Sequence, residues 1–130
     1  MNSVEAEIVK NFIRKDKQER ILWEFSNPRK RESVIWRFCS PALFKNECLQ
    51  SVAYMASEKL EEFLIRQSGA KEVYFIGENH IGILPLKQAT INADRGEKCI
   101  IYCGNGLGYY QGEEEYGSVP RFLLIQKNVP

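Results

Sequence analysis

The chain has 130 residues, of which 44% are hydrophobic and 27% charged, and its formal net charge is +1. This length and composition fit one domain, residues 1–130, that buries a core without disulfide or metal cross-links. The near-neutral charge argues against a dedicated nucleic-acid-binding protein, which usually concentrates basic residues on one face. No apolar run reaches the length of a membrane span, and the N-terminus carries acids where a signal peptide carries bases. We therefore expect a soluble cytoplasmic protein.

The first half of the chain, residues 1–69, is predicted to be helical. Apolar residues recur at helical spacing from Val4 to Ile13, and Ile21, Leu22 and Phe25 resume the pattern. The polar segment 14–20 between them fits either one helix or a break between two. Because no Gly or Pro interrupts it, we favour a single helix over residues 3–26.

Two dipeptides, Asn27-Pro28 and Ser40-Pro41, mark the starts of two further helices. Each places a capping side chain directly before a proline, and proline is favoured at the first helical position. We predict helices over residues 28–39 and 41–67, and the second could begin as late as residue 47. The longer one has an apolar stripe formed by Cys48, Val52, Met55, Ala56, Leu60, Phe63 and Leu64. Gly69 is the expected left-handed residue after its end.

The second half, residues 70–130, is predicted to be a β-meander. Its strand-like runs cover residues 73–76, 81–84, 99–103, 107–111 and 122–125. The first two runs form a hairpin, and we find no helix-length segment between the later ones, which disfavours parallel crossovers. The sequence thus predicts an α+β domain with the N-terminal helices on one face of an antiparallel sheet of four or five strands. Open sheet edges would be compatible with a homodimer.

The four cysteines, Cys39, Cys48, Cys99 and Cys103, are predicted to be reduced and buried. Their spacing lacks the C-x₂-C pattern of a zinc knuckle, so we expect no metal and no cofactor. Cys99 and Cys103 lie four apart on one strand and face the same way. Together with His80, the single histidine, they leave open a small enzyme with a Cys/His site.

The segment YCGNGLGYYQGEEEYG, residues 102–117, contains five of the nine glycines. Its spacing is G-x-G-x-G, whereas a dinucleotide-binding loop has G-x-G-x-x-G followed by a helix. Tyr109 stands where the third glycine of that pattern would fall, and no helical pattern follows. A phosphate loop is also disfavoured by the acids that follow. Asn105-Gly106 instead predicts a type I′ turn between two strands.

The residues after this turn combine aromatic rings with concentrated negative charge. The candidate protein-binding residues are Tyr109, Tyr110, Glu113, Glu114, Glu115 and Tyr116. Tyrosine is enriched in interface hot spots, and clustered acids attract a basic partner. The competing interpretation is a solvated loop whose tyrosines pack partly on the sheet.

A second interpretation rests on the basic concentration around residues 29–37. Its candidate nucleic-acid-binding residues are Arg29, Lys30, Arg31 and Arg37. Trp23 and Trp36 could stack on bases, but both stand among apolar residues and are expected in the core.

The hypothesis that the sequence favours is a small intracellular, non-enzymatic protein-binding module. An inhibitor or immunity-type protein that uses the acidic, tyrosine-rich loop against a basic partner would have this character. Nucleic-acid binding is the alternative, and a Cys/His enzyme is the third.

Overall fold

The computed structural model describes residues 2–114 and 117–127. Its α-helices are α1 (Ser3–Phe12), α2 (Lys15–Ser26), α3 (Ser57–Ser68) and α4 (Leu86–Asp94). Its strands are β1 (Leu49–Ser51), β2 (Glu72–Gly77), β3 (Ile81–Pro85), β4 (Cys99–Gly104), β5 (Leu107–Gln111) and β6 (Arg121–Ile125). Short 3-10 helices cover Arg31–Phe38, Pro41–Leu43 and Asn46–Cys48.

The six strands form one antiparallel sheet in the order β1-β6-β5-β4-β2-β3. The α+β class, with helices first and the sheet mainly C-terminal, is confirmed, as are all five predicted strands. The prediction of four or five strands misses β1, a three-residue strand that pairs with β6 at the sheet edge.

Helices cover both faces of the sheet, so the prediction that they pack on one face is wrong. On the first face, Tyr74, Ile76, Ile100 and Tyr102 join a core cluster with residues of α1, α2 and the 3-10 helix Arg31–Phe38. On the second face, the alternate residues Val73, Phe75, Cys99 and Ile101 join a cluster with α3 and α4. Because both sets of alternate residues are apolar, the central strands are buried on both sides.

The helix predicted over residues 3–26 is broken at Ile13 and Arg14. Ile13 has extended backbone and pairs with Phe44 in an isolated β-bridge. Arg14 N–H donates to the Leu43 carbonyl at 2.9 Å, and Lys45 N–H donates to the Phe12 carbonyl at 2.7 Å. These bonds to residues 43–45 replace the helical bonds that local sequence favours.

The helices predicted over residues 28–39 and 41–67 are confirmed only in part. The first is a turn followed by the 3-10 helix Arg31–Phe38, and the second contains two 3-10 turns and β1 before α3 begins at Ser57. The predicted stripe does not face one way, because Cys48 packs in the first cluster while Val52 and Met55 pack against the second. Only its last part forms a helix, which ends at Gly69 in the left-handed region at φ 72°, as predicted.

The connection from β3 to β4 also departs from the predicted meander. β2 pairs with β3 on one side and with β4 on the other, both antiparallel. β3 and β4 therefore run in the same direction, and α4 crosses the second face to join them. The remaining order, β4-β5-β6, is a meander. Asn105 and Gly106 have φ angles of 52° and 75°, which confirms the turn predicted between β4 and β5.

Within the residues that the structure describes, no helix has the length and apolar character needed to cross a membrane.

Candidate functional site

The register of the central strands places Lys98 at one end of the sheet, between two neighbouring strands. Cys99 pairs with Gly77 of β2 and with Gln111 of β5. One residue back along β4, the same register sets Lys98 opposite Glu78 on one side and opposite Gly112 on the other. The acidic residue that follows Gly112, Glu113, is thereby brought beside the same lysine.

Lys98 is the buried cation of this site, with only 1% of its side chain exposed. Its Nζ lies 3.2 Å from Glu113 Oε1 and 4.0 Å from Glu78 Oε1. Trp36 covers it, since Nζ lies 3.5 Å from the centre of the Trp36 ring. Nζ also donates to Cys39 Sγ at 3.7 Å. A lysine so enclosed is stable only because these groups compensate its lost hydration.

Gln111 and Gly112 fix the backbone around Lys98. The buried Gln111 side chain donates to the carbonyls of Ala93 and Glu97 at 2.8 and 2.9 Å, which ties β5 to the segment that enters β4. At Gly112 there is no room for a side chain, because a Cβ would lie 2.4 Å from Tyr110 Oη. The neighbouring Glu113 N–H donates to the Cys39 carbonyl at 3.2 Å. The acidic segment is thus held against the 3-10 helix that carries Trp36.

Glu97 lies next to Lys98 in sequence but has a different environment. Its Oε2 atom is buried and has no hydrogen-bond partner among the described residues. Burial and the negative charge of Glu78 raise the pKa of Glu97, and His80 partly offsets this effect. Its carboxyl group packs against Gly77, where a Cβ would lie 2.4 Å from Oε2.

The outer side of this arrangement is a surface, which we call the Trp36 surface, formed by Trp36, Glu78, Lys98 and Glu113. Trp36 is 51% exposed, and the Glu113 side chain is 52% exposed. The Lys98 ammonium is surrounded by its protein partners and is not accessible to a substrate. The geometry therefore suits a structural role rather than that of a nucleophile. The accessible groups are one face of an indole ring and two carboxylates.

The structure places only part of the predicted tyrosine-glutamate surface at the exterior. Tyr109 and Tyr110 are core residues on opposite faces of the sheet, and Tyr110 Oη donates to the Phe38 carbonyl at 2.5 Å. These two rings are therefore buried in the isolated chain and are not part of its exposed surface. Glu113 and Glu114 are exposed, and Glu115 and Tyr116 lie outside the described residues.

The predicted basic cluster is divided between surface and internal ion pairs. Arg29 and Lys30 are exposed. Arg31 binds the buried Glu5 carboxylate through both of its terminal nitrogens, at 2.6 and 2.5 Å. Arg37 Nε donates to the buried Glu24 carboxylate at 3.0 Å. Two of the four bases thus stabilise the first face of the fold, and nucleic-acid binding by this cluster stays a prediction.

The third hypothesis, a Cys/His site, finds no reactive thiol near His80. A cleft of about 590 Å³ lies beside His80, but its lining is polar and contains no cysteine. All four cysteines are free, and Cys48 and Cys99 are buried as predicted, whereas Cys39 and Cys103 are only partly buried. Burial raises the pKa of Cys99, and it raises the pKa of Cys103 to about 11, so neither is ionised near neutral pH. Cys103 also lies at the opposite end of β4 from the turn that carries His80.

Sequence reasoning missed Trp36 and Lys98. In the 3-10 helix, Val34, Ile35 and Phe38 point inward while Trp36 is exposed, contrary to its predicted core position. The sequence does contain a sign of the site, since Lys98 directly precedes an apolar strand. A charged side chain next to a buried strand is buried only when it is paired with other groups.

Comparisons with known proteins do not identify this site: no protein-family model, no curated protein and no solved structure matches the chain. Across residues 2–114 and 117–127, no three His, Cys, Asp or Glu side chains are grouped so that they could hold a metal ion.

Proposed function

We propose that the chain is a non-enzymatic protein-binding module and that it binds its partner through the Trp36 surface. The observation that carries this proposal is the half-exposed indole of Trp36, held in place over Lys98. Tryptophan is enriched among the hot-spot residues that cluster near the centre of protein interfaces. An ordered ring offers contact area at a small entropic cost, because the buried cation beneath it already restricts its motion.

The charge around the ring points to a basic partner. Glu78, Glu113 and Glu114 are exposed. The first two belong to the Trp36 surface, and Glu114 directly follows Glu113 in the chain. Acids at the rim of an interface raise the association rate of a basic protein. The inner face of the indole is taken by Lys98, so the outer face suits an apolar or aromatic side chain. The proposed partner therefore presents such a side chain within a basic surface, as a cytoplasmic nuclease blocked by an inhibitor or immunity-type protein would.

The test compares two tryptophans that are equally exposed. Trp36 is 51% exposed and Trp23 is 49% exposed, so Trp23→Ala is a matched control for Trp36→Ala. Immobilised wild-type protein and both variants are used to capture partners from native extract, and each recovered protein is quantified and then titrated in purified form. We expect a partner whose affinity falls at least about thirtyfold with Trp36→Ala, as for a hot-spot residue, and is unchanged with Trp23→Ala.

A second pair of variants separates binding from folding. Trp36→Phe keeps an aromatic ring over Lys98 and should retain the fold, while Glu114→Lys reverses one charge of the rim and leaves the ion pairs of Lys98 intact. We expect this charge reversal to slow association and to weaken the dependence of the association rate on salt. If folded Trp36→Ala recovers the same partners at the same affinity as wild type, the Trp36 surface is not the binding site.

A further inference from the structure

A large groove on the first face of the molecule is separate from the Trp36 surface. It has a volume of about 1570 Å³, and none of the four residues that define the Trp36 surface lines it. Its walls are the corner between α1 and α2, the segment 40–47, the edge strand β1 and the end of β6. We call it the basic groove, because its charged lining is mainly Lys10, Arg14, Lys15, Lys45 and Lys127.

Most of the basic side chains of the basic groove have no acidic partner among the described residues. Two acids, Asp16 and Glu47, also line it, and Arg14 pairs with Asp16 at 3.3 Å. Within the described part of the chain, Lys10, Lys15 and Lys127 form no ion pair. Five bases against two acids is a strong local excess for a chain whose net charge is +1. The groove is therefore complementary to an anionic ligand.

The edge of β1 supplies hydrogen-bonding backbone to the same groove. Val52 N–H donates to the Arg121 carbonyl at 3.0 Å, and Ser51 lies opposite Phe122. Since hydrogen-bonded and non-hydrogen-bonded pairs alternate between antiparallel strands, Leu49 and Ser51 direct their backbone groups away from β6. β1 is the last strand of the sheet on this side, and both residues line the groove.

One of the backbone groups on this outward edge already has a hydrogen-bond partner within the chain, so a ligand could pair only with the others. Leu49 N–H donates to the Asn46 carbonyl. The remaining outward groups are the carbonyls of Leu49 and Ser51 and the Ser51 N–H. They have the alternation that an added antiparallel or parallel strand requires, and strand addition to a sheet edge is a recurring mode of peptide recognition.

The aromatic residues of the groove favour a peptide over a nucleic acid. Phe44 is 2% exposed and already packs against Phe38 and Tyr110, and Phe122 is partly buried. Binding of single strands without sequence preference relies on exposed rings on which bases stack. These two rings form the floor of the groove instead and offer little stacking area.

We propose that the basic groove binds an extended acidic peptide segment of another protein, which adds to the sheet as a strand beside β1. The peptide backbone pairs with Leu49 and Ser51. Alternate peptide side chains point to the face of α1 and α2, where acids at every second position meet Lys10, Lys15 and Lys127. The chain then has two binding surfaces of opposite charge, and this inference does not depend on the proposed function of the Trp36 surface.

The probe for this site is a fluorescein-labelled decapeptide of alternating Glu and Thr, titrated by fluorescence anisotropy at low and physiological salt. Two further probes separate the contributions: the same peptide with every second amide N-methylated, and a fluorescein-labelled oligo-dT. We expect the unmodified peptide to bind with an affinity that falls with salt, and N-methylation to weaken it about fivefold or more. Amide shifts in ¹⁵N spectra should concentrate at residues 49–52 and at the α1–α2 corner.

Variants of the protein test charge and edge independently. Lys10→Glu with Lys15→Glu should weaken the peptide at least about tenfold. Lys59→Glu with Lys71→Glu is the matched control, since these lysines are exposed outside the groove, and should change affinity less than about twofold. Ser51→Pro removes an outward N–H that β6 does not use, and should weaken binding about fivefold with the fold retained.

Several results would overturn the inference. One is the absence of peptide binding at low salt, and another is equal weakening by both lysine pairs. Tighter binding of oligo-dT than of the peptide would make the groove a nucleic-acid site. Equal affinity for the N-methylated peptide, or for the folded Ser51→Pro variant, would exclude strand addition.

Discussion

The two faces of the sheet are held to their helices in different ways. On the first face, tyrosines on the strands reach polar groups of the helices: Tyr74 donates to Glu5, and Tyr102 donates to Glu7. On the second face, Leu60 and Leu64 of α3 lie in an apolar cluster with Phe75 and Ile101. Directional bonds thus add to the apolar packing that positions α1, whereas α3 is positioned mainly by apolar side-chain packing.

The difference has a consequence for how each face fails. On the first face, removal of one polar partner leaves another charged or polar group buried without compensation. On the second face, truncation of an apolar side chain leaves a cavity.

The largest effect is expected for Glu5, whose fully buried carboxylate accepts hydrogen bonds from Arg31, Tyr74 and the Asn2 backbone N–H. Glu5→Ala should lower the free energy of unfolding by about 4 kcal/mol, since it leaves the Arg31 guanidinium without its counter-ion. Urea unfolding measures this value. Glu62→Ala, which removes an exposed pair with Arg66 in α3, should cost less than about 0.5 kcal/mol. A cost below about 1 kcal/mol for Glu5→Ala would contradict the proposed role of directional bonds.

A somewhat smaller effect is expected for Leu64 on the second face. Leu64→Ala should destabilise the protein by about 3 kcal/mol through loss of apolar contact and formation of a cavity. The neighbouring Ile65 is exposed, so Ile65→Ala should cost less than about 0.5 kcal/mol. Both are measured by the same unfolding experiment, and similar losses for the two variants would mean that α3 is not packed as described.

The smallest effect is a difference in how two buried acids, Glu5 and Glu97, make the stability of the protein depend on pH. The two dependences have opposite signs, so they separate the faces directly. Burial alone would raise the pKa of Glu5, but bonds from Arg31 and Tyr74 outweigh it, so the pKa of Glu5 lies below its ordinary 4.5. Its stabilising contribution is complete above pH 4.5 and is lost as the pH falls through the folded pKa.

Glu97 on the second face behaves in the opposite way, because its pKa is raised above its ordinary 4.5. Its contribution is most favourable below pH 4.5 and is lost as the pH rises through the folded pKa. Glu97→Gln should therefore raise the stability of the protein at neutral pH, and the gain should disappear in acid. Thermal unfolding from acid to neutral pH measures it against Glu62→Gln, and a gain that persists in acid would exclude ionisation as the cause.

Local sequence patterns were sufficient to predict the elements whose apolar residues follow one helical or strand period without interruption. The five predicted strands and the end of α3 at Gly69 belong to this group. The sequence also predicts exposed acids at positions 113 and 114, which the structure confirms.

The missed elements depend on contacts that are distant in the chain. The break after α1 requires pairing of Ile13 with Phe44, and β1 is a strand because β6 lies beside it. Pattern reading joined Cys48 and Val52 into one stripe, although the chain crosses from one face of the sheet to the other between them. The site was missed for a related reason: Trp36 becomes exposed through 3-10 geometry, and the partners of Lys98 come from three separate segments.

The pairing of β1 with β6 has a further consequence for synthesis on the ribosome. Residues 49–51 are synthesised about seventy residues before residues 122–124, which are their strand partner among the described residues. Until then β5 is the open edge of the nascent sheet, and the basic groove lacks the wall that β6 provides. Because such distant contacts form slowly and leave strand edges exposed meanwhile, this sheet is most vulnerable to aggregation just before β6 is released.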